Sequence, residues 1–442
     1  MRLPLKTILA SCGAVLSIGA INESCAQTAL PQIDVTVASP IRRAPAQPAP
    51  AQPGPAQPAP ASAPEALVGT LPIVTDQFAT ITVVPNAELR RNGAATLGDL
   101  LFEKPGITGS SFAPGASSRP IIRGLDVNRV RIQEDGIGAN GASDLGEDHF
   151  VPVDPLTSDQ VEVIRGPATL RYGSQAIGGV VSAENSRIPT AVPPRGVAAE
   201  MKGALGSVDD GLEGAVLLDA GKGNFAFHAD AFGRRASDYR IPSYPYLFPG
   251  DEPPPVGNRQ PNSSMRADGQ ALGGSYLFHG GYAGLSVSRF ATFYHVPGLE
   301  SAETNSRIDL RQFKVQSKGE MRPQSGAIET IRYWAGGSDY KHDELANENG
   351  FDGIQQTFTN KELEGRVEAQ LTPFDLRWGT LQTAVGAQAG HQRLTSTGLV
   401  DGGLFDPNRT SMLAGYVFNE LQFTPTTRAQ LAGAERAIEP DR

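Results

Sequence analysis

The stretch Ser158–Ala183, SDQVEVIRGPATLRYGSQAIGGVVSA, restricts the fold more tightly than any other part of the chain. Val161-Glu162-Val163-Ile164 is β-branched around one carboxylate and reads as a strand. Arg165-Gly166-Pro167 stops it, because glycine opens backbone angles closed to other residues and proline fixes φ. A short helical turn then ends at Tyr172-Gly173, and Gly178-Gly179 opens a second β-run. Strand, tight turn, helical turn and strand in close succession belong to a small α+β domain. Neither a phosphate loop nor a catalytic triad has this shape.

The flanking sequence extends that domain over residues 72–190. Thr80–Val84 reads as a strand, and Asn86 is placed to cap a helix beginning near Ala87, with Glu88, Leu89 and Arg90 in its first turn. Thr96–Phe102 gives a second helical segment, stopped before Pro105-Gly106. Arg119–Leu125 and Arg129–Gln133 are strands about a turn containing Asp126, and Asp135-Gly136 marks the next turn.

Ahead of this domain, residues 1–26 have the makeup of an export signal. Arg2 and Lys6 precede an apolar stretch, Ile8–Ile21, and Ser24-Cys25-Ala26 offers small residues for cleavage before Gln27. The apolar part is shorter than the roughly 20 residues of a membrane span. Leu9-Ala10-Ser11-Cys12 resembles a lipoprotein cleavage site but leaves no room for an apolar core before it. Both cysteines, Cys12 and Cys25, fall inside the signal, so the exported chain has no thiol. That excludes a disulfide framework, a Cys-ligated metal and a Cys nucleophile. Residues 27–39 contain a short extended run, Ile33-Asp34-Val35-Thr36-Val37. Residues 40–71 form a Pro/Ala-rich linker, which proline keeps out of helix and sheet; its low-complexity part, 40–64, spans up to about 80 Å at ~3.1 Å per residue. With 38 basic against 47 acidic residues, the net charge of −9 argues against nucleic acid as a partner.

After about Gly196 the sequence becomes a series of strand-like segments. In Asn224–Arg234, Phe225, Phe227, Ala229 and Ala231 share one face, and Asn224, His228 and Asp230 the other. In Glu362–Leu371, Leu363, Val367, Ala369 and Leu371 oppose Glu362, Glu364, Arg366, Glu368 and Gln370. That run also fits a helix; Gly365 and the Thr372-Pro373 stop favour a strand. No run after the signal is long and apolar enough for a membrane helix, so a membrane would have to be crossed by a closed β-barrel. Periodicity alone leaves a lipid-facing barrel and a soluble sandwich both open.

The PIIRGL run at 120–125 and the VEVIRGP run at 161–167 closely resemble the plug domain of TonB-dependent outer-membrane receptors. The resemblance implies an α+β plug followed by an antiparallel transmembrane β-barrel over 191–442, in the outer membrane of a Gram-negative bacterium and in contact with its lipid. It makes Ile33–Val37 a TonB box that adds as a strand to TonB, itself energised by an inner-membrane complex. It makes Arg123, Gly124, Glu162, Arg165, Gly166, Pro167, Tyr172, Gly173, Gly178 and Gly179 the plug-core motifs, with Glu162 and Arg165 pairing to the barrel wall. It also implies a monomer with no enzymatic activity, and no acid–base constellation speaks otherwise. Barrels of this family have about 22 strands. Only about ten strand candidates lie between Gly196 and Arg442, and Glu435–Arg442 lacks a terminal aromatic strand. The expectation is the N-terminal portion of a receptor.

Within that family, the segment Asp144–Leu156, with Asp148-His149 inside it, is most similar to the zinc-uptake, ZnuD-like subgroup. There the Asp-His pair binds metal at the outer surface of the plug, which transfers to Asp148 and His149. Imidazole and carboxylate suit Zn²⁺. A third ligand transfers to Glu344, in the run Tyr340–Glu344 at a strand end before the loop Leu345–Ile354, with His342 and Asp343 as alternatives beside it. A further histidine is expected from a later barrel segment. The chain has only six histidines and no histidine-rich loop, unlike the subgroup. His228, His279, His295 and His391 read as structural or solvent-facing. The metal is cargo, and no prosthetic group is implied. Two other readings stand beside zinc uptake. One is a siderophore or haem receptor using Tyr239, Tyr244, Tyr246 and Phe248; the other is a truncated fragment that does not transport.

Overall fold

The computed structural model describes residues 80–441 apart from 111–114, 116, 127–128, 140, 174, 243–256, 325, 349 and 400–401. The export signal, the Ile33–Val37 run, the Pro/Ala linker and Tyr244, Tyr246 and Phe248 lie outside the described residues.

The N-terminal domain is α+β. Its elements are β1 (Thr80–Pro85), α1 (Asn86–Leu89), α2 (Leu97–Leu101), β2 (Ile107–Gly109), β3 (Pro120–Ile122), β4 (Val130–Glu134), β5 (Ile137–Gly138), β6 (Gln160–Arg165) and β7 (Gly179–Glu184). The main sheet has the order β1-β6-β7-β4-β5, with β4 and β7 parallel and the other pairs antiparallel. The PIIRGL run stands apart from this sheet: β3 pairs only with β2, and Arg123-Gly124 turns away with φ of 53° and 75°. Thr96 caps α2 by accepting from the Asp99 amide, as its sequence predicts. Asn86 does not cap α1. It is the first helical residue, preceded by Pro85, and no side-chain cap forms.

Strands β4, β6 and β7 are buried on both faces. One face is apolar: Val130, Ile132, Val161, Val163, Val181 and Ala183 pack on Leu97, Leu100, Leu101 and Ile122. The opposite face is polar, with Glu162 across from Ser182 and Ser182 across from Gln133. Burial of a polar face requires a second polar surface against it, and the rest of the chain supplies that surface. Close packing of β7 explains Gly179: a Cβ there would lie 2.8 Å from Ile122 Cδ1 and 3.0 Å from the Ile164 carbonyl. Gly166 and Gly173, both at φ 86°, bracket the 3-10 turn Pro167–Tyr172.

The wall comprises β8 (Val197–Gly206), β9 (Gly211–Lys222), β10 (Phe225–Ala236), β11 (Met265–Phe278), β12 (Gly281–His295), β13 (Arg307–Met321), β14 (Ile328–Glu348), β15 (Phe351–Leu371), β16 (Phe374–Leu376), β17 (Gly379–Gly398), β18 (Asn408–Thr424) and β19 (Thr427–Asp441), with the short helix α3 (Leu299–Glu303) between β12 and β13. All pairs are antiparallel and join neighbours along the chain, except that β15 pairs with β17 past β16, which pairs only with β17. The sheet thus has 12 strands where sequence patterning suggests about ten. Three-residue β16 and charge-rich β19 carry little alternation to read, and β19 reaches Asp441, where the sequence shows no strand signal.

The direction of the alternation decides between barrel and sandwich. On β15, Leu363 and Val367 are 66% and 53% exposed, whereas Glu364, Arg366, Glu368 and Gln370 are buried. On β10, Phe225 and Phe227 face out while His228 and Asp230 are buried. A soluble sandwich would place these faces the other way round. Among the described residues no helix is long and apolar enough to cross a membrane.

Candidate metal site

Loop 141–150 leaves the N-terminal domain and presents Asp148 and His149 to the wall. The strand β14 meets it with Tyr340, His342 and Glu344, which share one face because side chains alternate along a strand. His149 Nε2 lies 2.9 Å from Glu344 Oε1 and 3.8 Å from Asp148 Oδ1. His342 Nε2 lies 3.6 Å from the same Glu344 oxygen. Ligand atoms of His149, His342 and Glu344 all fall within 4.8 Å of one another. Two ligands at zinc bond lengths in a tetrahedron are about 3.4 Å apart, so the cluster is already near the spacing a metal would impose.

The other ring nitrogens are engaged. His149 Nδ1 donates to the Ala142 carbonyl at 2.8 Å, which points Nε2 toward the cluster. His342 Nδ1 is 2.7 Å from the Tyr340 hydroxyl. Its Nε2 is buried and has no hydrogen-bond partner, an arrangement that costs free energy unless a cation or donor comes to it. Phe358 packs on both imidazoles, with centroids 5.1 and 4.7 Å from His149 and His342. Burial by itself disfavours the imidazolium of His149, but the Glu344 hydrogen bond, the Asp148 charge and the Ala142 carbonyl outweigh it and raise its pKa above the ordinary value. A metal ion entering here displaces a proton.

Of the five candidates, His149, His342 and Glu344 come together, with Asp148 beside His149. Asp343 does not. It lies on the opposite face of β14, paired with Lys341 at 2.8 Å and accepting from the Thr357 hydroxyl at 2.5 Å. The expected loop Leu345–Ile354 is also replaced: β14 runs on to Glu348 and β15 resumes at Phe351. A register shift falls between Glu344 and Leu345, immediately beside the cluster, where a bulge re-aims side chains.

Arg165 departs from its expected role. Its guanidinium donates to the Pro105 carbonyl at 2.8 Å and to the Thr82 hydroxyl, both within its own domain. Glu162 accepts from Gln160 Nε2 at 2.5 Å. Further ion pairs join the domain to the wall. Arg171 is bidentate on Glu368 at 3.0 and 2.5 Å, with neither side chain exposed, and Arg187 is bidentate on Asp230 at 2.8 and 3.3 Å. Arg131 pairs with Glu364, Lys314 with Glu134 at 2.7 Å, and Lys318 with Asp135 at 2.7 Å. Their signal in the sequence is a charge at some inward positions: Asp230 on β10, Lys314 and Lys318 on β13, Glu364 and Glu368 on β15. His228, taken as structural or solvent-facing, is buried between Asp219 and Asp230.

Residues 74–180 match the sequence profile of the TonB-dependent Receptor Plug Domain. These residues are a TonB-dependent receptor plug. The strands that follow the plug form one large antiparallel sheet, and the chain shares its fold with solved structures. The chain aligns over 81% of its length with the unliganded ferric citrate transporter FecA (TM-score 0.60, 16% identity) and with the copper transporter OprC (TM-score 0.63, 16% identity). It covers 56% and 55% of those chains. Two curated relatives align over about a quarter of the chain and less than a fifth of their own length. The vitamin B12 transporter BtuB of Vibrio vulnificus (strain CMCP6) is 36% identical over 110 residues, 25% of this chain and 18% of the relative. A hemin receptor of Yersinia pestis is 32% identical over 104 residues, 24% of this chain and 15% of the relative.

Proposed function

We propose that this chain belongs to an outer-membrane receptor that imports a divalent metal ion, zinc in the first place, with energy delivered by TonB at Ile33–Val37. Zinc binds at the outer face of the plug, between Asp148 and His149 and the wall residues His342 and Glu344. The observation that carries this reading is the buried, unpartnered Nε2 of His342 facing Glu344 and His149. Two imidazoles with carboxylates suit Zn²⁺, while the thiolate or thioether ligands that select Cu(I) are not in the cluster. The cluster is too small and too enclosed for a siderophore or haem, which would need a wide aromatic or Arg-lined surface. The neighbour OprC, a copper transporter, supports metal-ion import on this fold. The outward apolar face of the wall supports a place in the lipid of the outer membrane. The polar plug-to-wall contacts support a plug that closes the lumen until it is remodelled.

The test is a zinc titration of the full chain in detergent beside Asp148→Ala/His149→Ala. Zinc affinity should fall by more than the roughly 10–100-fold that changes behind the ligands produce. An unchanged affinity would remove the metal site and return the chelate reading to the front.

A further inference from the structure

Loop 141–150 carries two of the ligands but is built of turns, with no regular element to hold it. Its shape is fixed by donors aimed at its carbonyl oxygens. Arg119 donates from Nη1 to the carbonyls of Ser143, at 2.9 Å, and Gly146, at 2.6 Å. The Ser117 hydroxyl donates to the Glu147 carbonyl at 3.0 Å, and the Tyr294 hydroxyl to that of Asp148 at 2.5 Å. Arg119 is itself held. Its Nε and Nη2 meet the two oxygens of Asp126 at 3.0 and 3.1 Å, and its backbone exchanges hydrogen bonds with Ser110. The side chain is buried. None of these groups is a ligand in the cluster.

We infer that Arg119 is the positioning residue of the metal site. Its planar fork clamps the two turns that aim Asp148 and His149, using Asp126 as the anchor. Lysine could not do this, because a point charge on a flexible stem cannot serve two carbonyls and a carboxylate in one plane. The inference rests on the metal reading of the cluster. It also links the site to the segment Ser117–Ile122. Residue 119 precedes residue 148 in the chain, so extension drawn from the N-terminal side lifts Ser117 and Arg119 away before it reaches the ligands. The ligand pair then loses its alignment while still in the lumen, and the cation is let go.

The experiment compares the full chain with Arg119→Gln, Arg119→Lys and, as a control, Arg90→Gln, an exposed arginine paired with Glu200 of β8. Cobalt(II) serves as the probe, read by its visible absorption, and amide exchange is followed by mass spectrometry. Both Arg119 variants should bind Co²⁺ about 10–100-fold more weakly, with altered visible bands. Exchange should quicken across 142–149 and stay as in the parent across β6 and β7. Arg90→Gln should match the parent in every respect. If Arg119→Gln does not fold, Arg119→Lys is judged by the same two readouts. Parent-like Co²⁺ binding in a folded Arg119 variant would overturn the inference. If the parent itself binds no Co²⁺, the metal reading fails, and exchange alone decides the role of Arg119. Parent-like protection of 142–149 then overturns it, and faster exchange there sustains it as the residue that holds the loop.

Discussion

Replacing His342 with alanine should cost more zinc affinity than any other single change in β14, whereas Asp343→Ala should leave it at the parent value. The expected loss for His342→Ala exceeds the roughly 10–100-fold typical of residues behind a ligand. The reason is geometric. His342 is fully buried, its Nδ1 is tied to Tyr340, and its Nε2 has nothing but the cluster to bind. Asp343 is one residue away and on the other side of the strand, where Lys341 and Thr357 already satisfy it. Calorimetric titration of the two variants checks this. Equal losses in both would mean that the strand phase seen here is wrong, and a loss only in Asp343→Ala would invert the site.

The second large effect concerns how the plug is seated. Arg171→Met alone should destabilise the plug-to-wall contact by about 3–5 kcal/mol, the usual cost of leaving a buried charge without its partner. Glu368 would then sit unexposed with the Tyr416 hydroxyl, 2.9 Å away, and the charges of Arg332 and Arg366. Arg171→Met/Glu368→Leu should recover most of that loss, because removing both charges also removes their desolvation cost. Urea-induced release of the plug, followed by protease sensitivity of residues 80–184, measures both. A double variant as weak as the single one would show that Arg171 contributes through its packing on Phe418 and not through charge.

These two cases also show what was legible before any coordinates. The Ser158–Ala183 segment announced the plug sheet because its strand, glycine and proline signals are local. Asp148 and His149 could be singled out because they are adjacent. Glu344 came from likeness to the zinc-uptake subgroup. His342 and Asp343 cannot be told apart in a run read as a strand end, where inward and outward phase is undefined. Once β14 is seen to continue to Glu348, positions 340, 342 and 344 fall on one face. The same limit applied to the wall as a whole. Alternation on β10 and β15 was plain, but whether the apolar side faced lipid or core depended on what the polar side touched. Arg171, far along the chain from Glu368, carries no local mark of its partner. Arg165, in the conspicuous RGP motif, drew an ion-pair role that belongs to Arg171, Arg187 and Arg131.

The ligands of the metal at the plug surface are the central point. Zinc K-edge X-ray absorption of the zinc-loaded full chain reads them directly. The expected spectrum has a first shell of nitrogen and oxygen at about 2.0–2.2 Å, with outer-shell scattering from two imidazole rings that is lost in His149→Ala/His342→Ala. A shell of oxygen alone, or imidazole scattering that survives in the double variant, would contradict it.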